Sequence, residues 1–231
     1  MHYRLLGLLI LAGSLQLYAQ EPQLPVEGSN AQNSLPDESL PIYNGRLFYG
    51  YPPMSHGIPY YKTMGWQKGS IRYEGHWYAD VSIIYDPVVE QLVVRNPRYL
   101  SLALFSERVQ EFKIEGDRFV RLYPDADNVI KEGFHRVLVE GTVTIYQRHI
   151  KVIKEEVKAD QLELNVETIN QYYALKEGRF YPVNKQKSIL ALLKDKRQAI
   201  QQHLRSQAVK FKRDPERAIT LIATFYNQAA N

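Results

Sequence analysis

Apolar and polar residues alternate with period two along the middle of the chain. The clearest run is 76–85, where Trp77, Ala79, Val81, Ile83 and Tyr85 alternate with His76, Tyr78, Asp80, Ser82 and Ile84. That period places one set on each face of a strand. Asp86-Pro87 breaks the run, and Gln91 to Arg95 resumes as a return strand. Asn44-Gly45, Glu74-Gly75, Glu115-Gly116, Glu140-Gly141 and Glu177-Gly178 sit between short apolar or aromatic runs. Glycine there supplies the positive φ of tight hairpins. Residues 71–73 therefore pair with 77–85, 109–114 with 118–123, 134–139 with 142–152, and 171–175 with 179–183. Serial hairpins predict an antiparallel meander: a curved sheet or partial barrel. Strand–helix alternation is absent, which argues against a parallel nucleotide-binding sheet.

One strand changes phase. Val143 and Ile145 share a face, whereas Tyr146, Ile150 and Val152 lie on the other. Either a bulge near Gln147-Arg148 bends the strand or two strands meet there. The carboxyl end has helical spacing. Asn184 is a candidate cap for a helix through Leu193, and Asp195 for one carrying Ile200 and Leu204. Asp214-Pro215-Glu216 starts a third, with Ile219, Ile222, Phe225 and Tyr226 as its apolar stripe. The fold class expected is α+β, mainly antiparallel β, with C-terminal helices packed on the sheet.

The amino end differs in kind. His2 and Arg4 precede an apolar run that closes at Tyr18-Ala19. The h-region is about 13 residues, the length of a secretory signal peptide and too short for a bilayer-spanning helix. Residues 1–19 are thus expected to be a signal peptide, and the protein to be exported to the periplasm or exterior. Residues 20–42 hold four prolines, four acids and no Lys or Arg, which reads as an acidic linker. Residues 43–184 form the β domain. Residues 185–231 form a basic helical segment, and 185–217 carry ten Lys/Arg against three Asp/Glu. The chain's net charge of +4 is concentrated in this tail.

Composition narrows the chemistry. Cysteine is absent, so disulfides, thiolate metal sites and cysteine nucleophiles are excluded. No histidine pair has the spacing of a metal site, and the histidines beyond the leader read as surface or rim side chains. No Gly-x-Ser-x-Gly elbow or Walker loop occurs. No cofactor and no catalytic residue is expected; whether the chain is an enzyme stays open, with non-enzymatic the favoured reading. Tyrosine is abundant at 17, and the proline- and glycine-broken segment 49–61 cannot be one regular strand. Aromatic loops offer apolar area and hydroxyls together. Tyr49, Tyr51, His56, Tyr60, Tyr61 and Trp66 are therefore the candidate ligand-binding residues, unless these rings merely cap one end of the sheet.

The succession Tyr43-Asn44-Gly45, Gly57-Ile58-Pro59-Tyr60-Tyr61, residues 69–75, Val81-Ser82-Ile83-Ile84-Tyr85-Asp86, Gly133-Phe134-His135-Arg136-Val137-Leu138 and the tail 187–196 resembles a group of secreted, uncharacterised β-rich proteins of Bacteroidota. The resemblance implies export and a β-rich domain with terminal helices, and brings no catalytic residue. Three functions follow as expectations: an exported binding or interaction protein of the cell envelope, an envelope assembly component, or a hydrolase whose site forms only in three dimensions. An unknown ligand or envelope protein would be the partner. The basic helices could meet an anionic surface, and nucleic acid is not expected.

Overall fold

A computed structural model describes residues 39–229; the signal-peptide reading and residues 20–38 of the linker lie outside it. One 11-stranded antiparallel sheet is followed by three helices. In chain order the strands are β1 (Arg46–Leu47), β2 (Gln67–Tyr73), β3 (His76–Asp86), β4 (Gln91–Arg95), β5 (Ser101–Ala103), β6 (Val109–Ile114), β7 (Asp117–Leu122), β8 (Gly133–Val139), β9 (Val143–Lys158), β10 (Gln161–Lys176) and β11 (Arg179–Pro182). The helices are α1 (Gln186–Leu192), α2 (Arg197–Ser206) and α3 (Pro215–Gln228).

The sheet runs β1-β5-β4-β3-β2-β6-β7-β8-β9-β10-β11. Two meanders grow outward from β2, one toward β5 and one, beginning with β6, toward β11. Three predicted Glu-Gly turns have positive φ at both residues: Glu74-Gly75, Glu115-Gly116 and Glu177-Gly178. This is the twist that two-residue hairpins require.

Ring contacts reveal the curvature. Tyr85 on β3 lies 5.9 Å from Phe134 on β8, centroid to centroid, although four strand spacings separate the two strands in the ladder. On a flat sheet those spacings would amount to about 19 Å. The sheet therefore curls until Tyr85, Phe112, Phe119 and Phe134 meet in its concave core. It stays open, with β1 and β11 at its two ends. The β3–β4 turn does reach β9, where the Lys151 amide donates to the Pro87 carbonyl at 3.5 Å. Rings fill the concavity.

A second core joins the helices to the sheet through Val143, Ile145, Tyr172, Ala174, Ile189, Ile200, Leu204, Ile219 and Ile222. Asp214 caps α3 as expected, accepting from the Arg217 amide at 3.0 Å. At the other end of α3, the Asn227 amide bonds both the N–H and the C=O of Val143, each at 2.9 Å. It sits so close that a Cβ on Gly141 would lie 2.4 Å from its Nδ2.

Several expectations are corrected. Asn184 does not cap α1; its side chain accepts from the Tyr172 amide at 2.7 Å. Asp195 lies in a 3-10 turn ahead of α2 and does not cap it. Ile42, assigned to the linker, is buried in the concave core, and Pro41–Tyr43 form a 3-10 turn. β9 pairs with β10 without a register shift, so the strand has no bulge near Gln147 and is not two strands. The irregularity lies in β8, between Val137 and Val139.

Candidate functional site

Two places break the apolar–polar pattern, and they differ in what they leave accessible. The first is the inward face of β9, where Gln147, His149 and Lys151 follow Val143 and Ile145. This accounts for the phase change: the strand keeps its register while its buried face turns polar. Gln147 Nε2 donates to Glu216 of α3 at 2.9 Å. Arg136 on β8 joins Asp117 and Glu216, each at 2.7 Å, and donates to Gln147 at 3.1 Å. The Tyr61 hydroxyl donates to Asp117 at 2.7 Å. Burial alone would raise the Asp117 carboxyl, but the Lys62, Tyr61 and Arg136 donors outweigh it and hold that carboxyl below the usual range. Lys151 donates to the carbonyls of Ile58 and Tyr60. Burial lowers its pKa, opposed by the charge of Asp86. These groups are occupied with one another. They fasten α3 and the 58–62 segment to the sheet, and they offer little to a ligand.

The second place is β3. Gly69 faces Val81 while Ile71 faces Tyr78, so β3 carries one extra residue opposite Ser70. This is a β-bulge, and Asp80 within it has φ +54. The bulge overturns the single alternation expected for 76–85. Val81, Ile83 and Tyr85 point into the concave core, with Tyr78 packed against it, but Trp77 and Ala79 are exposed. A non-glycine residue at positive φ inside a strand is held there at a cost. Lys68 Nζ ties the Asp80 carbonyl at 2.8 Å. Close approach of β6 reinforces the geometry: a Cβ on Gly69 would stand 2.3 Å from the Lys113 carbonyl oxygen, so only glycine fits.

The bulge forms the floor of two adjoining open recesses. One, of about 400 Å³, is lined by Lys68, Asp80, Ser82, Arg95, Tyr43 and Tyr99 among others. The other, of about 290 Å³, shares Lys68 and Asp80 and adds Lys113 and Glu115. Arg95 ends β4 with its guanidinium 4.4 Å from the Trp66 ring centroid and 5.9 Å from that of Tyr99. Its Nε is buried without an acceptor among the described residues. Tyr99 is presented by a short turn: the Asn96 side chain accepts from the Arg98 and Leu100 amides, and Tyr99 has φ +63 and is 78% exposed. An aromatic wall, a stacked guanidinium and the Asp80 carboxylate thus share one solvent-open groove. Such a set suits a ligand with both an apolar face and acceptor oxygens.

The aromatic loop predicted as the binding surface is divided. Tyr51, Tyr60 and Trp66 pack with Phe48 over Ile84 and Val93 on the convex side of β3 and β4. The Tyr51–Tyr60 centroid distance there is 5.9 Å. Tyr61 enters the concave core against Phe119 and His149. His56 lies along the edge of β10 opposite Asn165, and Tyr49 is 90% exposed. None of the six lines either recess; Trp66 stands behind one of them, stacked on Arg95. Lys68, Asp80, Arg95 and Tyr99 were missed. The available signals were Tyr78 on the supposedly polar face of β3, and Asn96-Pro97 directly after β4. His135, expected at the surface, is fully buried. Among the described residues no group of three His, Cys, Asp or Glu converges as a metal site would require.

Comparison with family models, with curated proteins and with solved structures finds no match.

Proposed function

We propose that this chain is an exported, non-enzymatic binding protein of the cell envelope, and that its ligand is a saccharide lying across the Asp80–Arg95 recess. The observation that carries this reading is the positive φ of Asp80 within β3 beneath an open groove walled by Tyr99 and a ring-stacked Arg95. Strained residues inside strands persist where the surrounding structure over-determines them, and they cluster at functional positions. Sugar rings offer apolar C–H faces to aromatic rings and hydroxyls or carboxylates to guanidinium and carboxylate groups. Both recesses are open to solvent, which suits a segment of an extended polymer better than a small molecule that must be enclosed. The leader-like residues 1–19 and the resemblance to secreted Bacteroidota proteins support export. No helix among the described residues is long and apolar enough to cross a membrane.

An array of neutral and uronic-acid-containing oligosaccharides provides the test. Binding by the chain should be lost in Tyr99→Ala and strongly weakened in Arg95→Ala, both at unchanged thermal midpoint. Binding indifferent to both substitutions, or no binding across the array, counts against the reading.

A further inference from the structure

The β9–β10 hairpin continues well beyond the rest of the sheet, and its two long edges are treated differently. On β10 the edge is covered. The Ser55 and His56 amides donate to the Leu164 carbonyl, and the Val166 amide donates to the His56 carbonyl. On β9, β8 pairs only through residues 145–147. The Lys151 amide then bonds Pro87, and beyond it no backbone partner among the described residues meets the outer edge. Because the Lys151 N–H points outward, the alternation of the strand turns the N–H and C=O of Ile153, Glu155 and Val157 outward too. Open strand edges invite pairing with another strand.

We infer that this edge joins a second copy of the chain, as an antiparallel β9–β9 pair about a two-fold axis at Glu155. The sequence of residues 152–158 favours that register. Side chains of one molecule keep their faces across such an axis only if the paired residue numbers sum to an even value. Centring on Lys154 would oppose two lysines, and centring on Glu156 would set Lys154 against Lys158. Centring on Glu155 sets Lys154 opposite Glu156 twice, in non-hydrogen-bonded pairs where side chains come closest. It also sets Ile153 opposite Val157 twice, in line with outward-pointing backbone groups. The face carrying Ile153 and Val157 also carries Leu162, Leu164 and Val166. On it Val157 is 73% and Leu162 61% exposed, and pairing would make that apolar strip continuous across two molecules. Lys154 and Glu156 already pair with Glu167 and Lys158 of their own hairpin, at 2.8 and 2.9 Å, so the cross-axis pairs must share these charges, and the contact is opposed by the Glu155 pair on the axis. Its neutralisation should therefore tighten the dimer.

Sedimentation of the full-length chain over a concentration series tests the pairing. A dimer is expected, strengthened several-fold by Glu155→Gln. Lys154→Glu alone places acids together twice, and Glu156→Lys alone places lysines together twice. Each single variant should weaken the dimer about tenfold or more. Mixing the two singles restores both opposite-charge pairs, so the mixture should form a heterodimer of near wild-type strength. That recovery also shows that neither variant has misfolded. A chain monomeric throughout the series overturns the inference. So does a dimer indifferent to the single changes, or one weakened by them but not recovered on mixing.

Discussion

His135 is fully buried. Its Nδ1 lies 3.0 Å from the Gly133 carbonyl and its Nε2 has no partner among the described residues, which fits a neutral ring that donates from Nδ1. Burial pushes its pKa down to about 4. The folded state thus resists the proton that the unfolded chain accepts near the ordinary value of about 6.5. The stabilisation is present above that value and is lost as pH falls through 6.5 toward 4, about 3 kcal/mol in all. Asp86 and Glu90, whose carboxyls burial raises, act in the opposite sense at the acidic end. The His135 contribution therefore shows as a difference. Urea midpoints of wild type should fall more steeply between pH 7 and pH 4.5 than those of His135→Asn, which keeps a donor near Gly133. Parallel slopes would mean that His135 titrates freely. Nothing in the local sequence marks His135 as buried, because its surroundings come from distant segments, among them the Tyr173 ring at 5.9 Å.

At the scale of elements, legibility followed turn chemistry. Hairpins closed by Glu-Gly could be read because glycine at positive φ marks them. The outer half of β9–β10 went unread because Ala159 and Asp160 close it, at φ +48 and +63, without a glycine. The alternation of Leu162, Leu164 and Val166 with Glu163, Asn165 and Glu167 was present in the sequence to find. Helix α3 was legible because its cap and its stripe agree. Ile219 and Ile222 are fully buried, while Phe225 is only partly buried and stacks 4.6 Å from His203 of α2. Ile222→Ala should cost ~2–5 kcal/mol and Asp214→Ala about 1 kcal/mol, read as urea midpoints at constant slope. Equal effects would mean that α3 is held by its ends and not by its buried face.

Across the whole molecule, local patterning gave an antiparallel meander with packed helices, and the curl was left to tertiary contact. A sheet of this length must bury one face against something. Here aromatic rings from β3, β6, β7 and β8 bury it against itself, while the helices cover β8 to β10. The concave side is thereby filled, and exposed chemistry is left to the convex side, where the β3 bulge lies. The candidate recess was illegible in the sequence for the same reason. Asp80, Arg95, Tyr99 and Trp66 stand on separate segments that only the sheet register and the 96–100 turn bring together. Binding at that recess is measured most directly by backbone amide NMR during titration with a neutral and an acidic oligosaccharide. Saturable shifts should centre on Lys68, Asp80, Arg95 and Tyr99, and disappear in Tyr99→Ala. Shifts confined to the basic helices, or no shifts with either sugar, would contradict it.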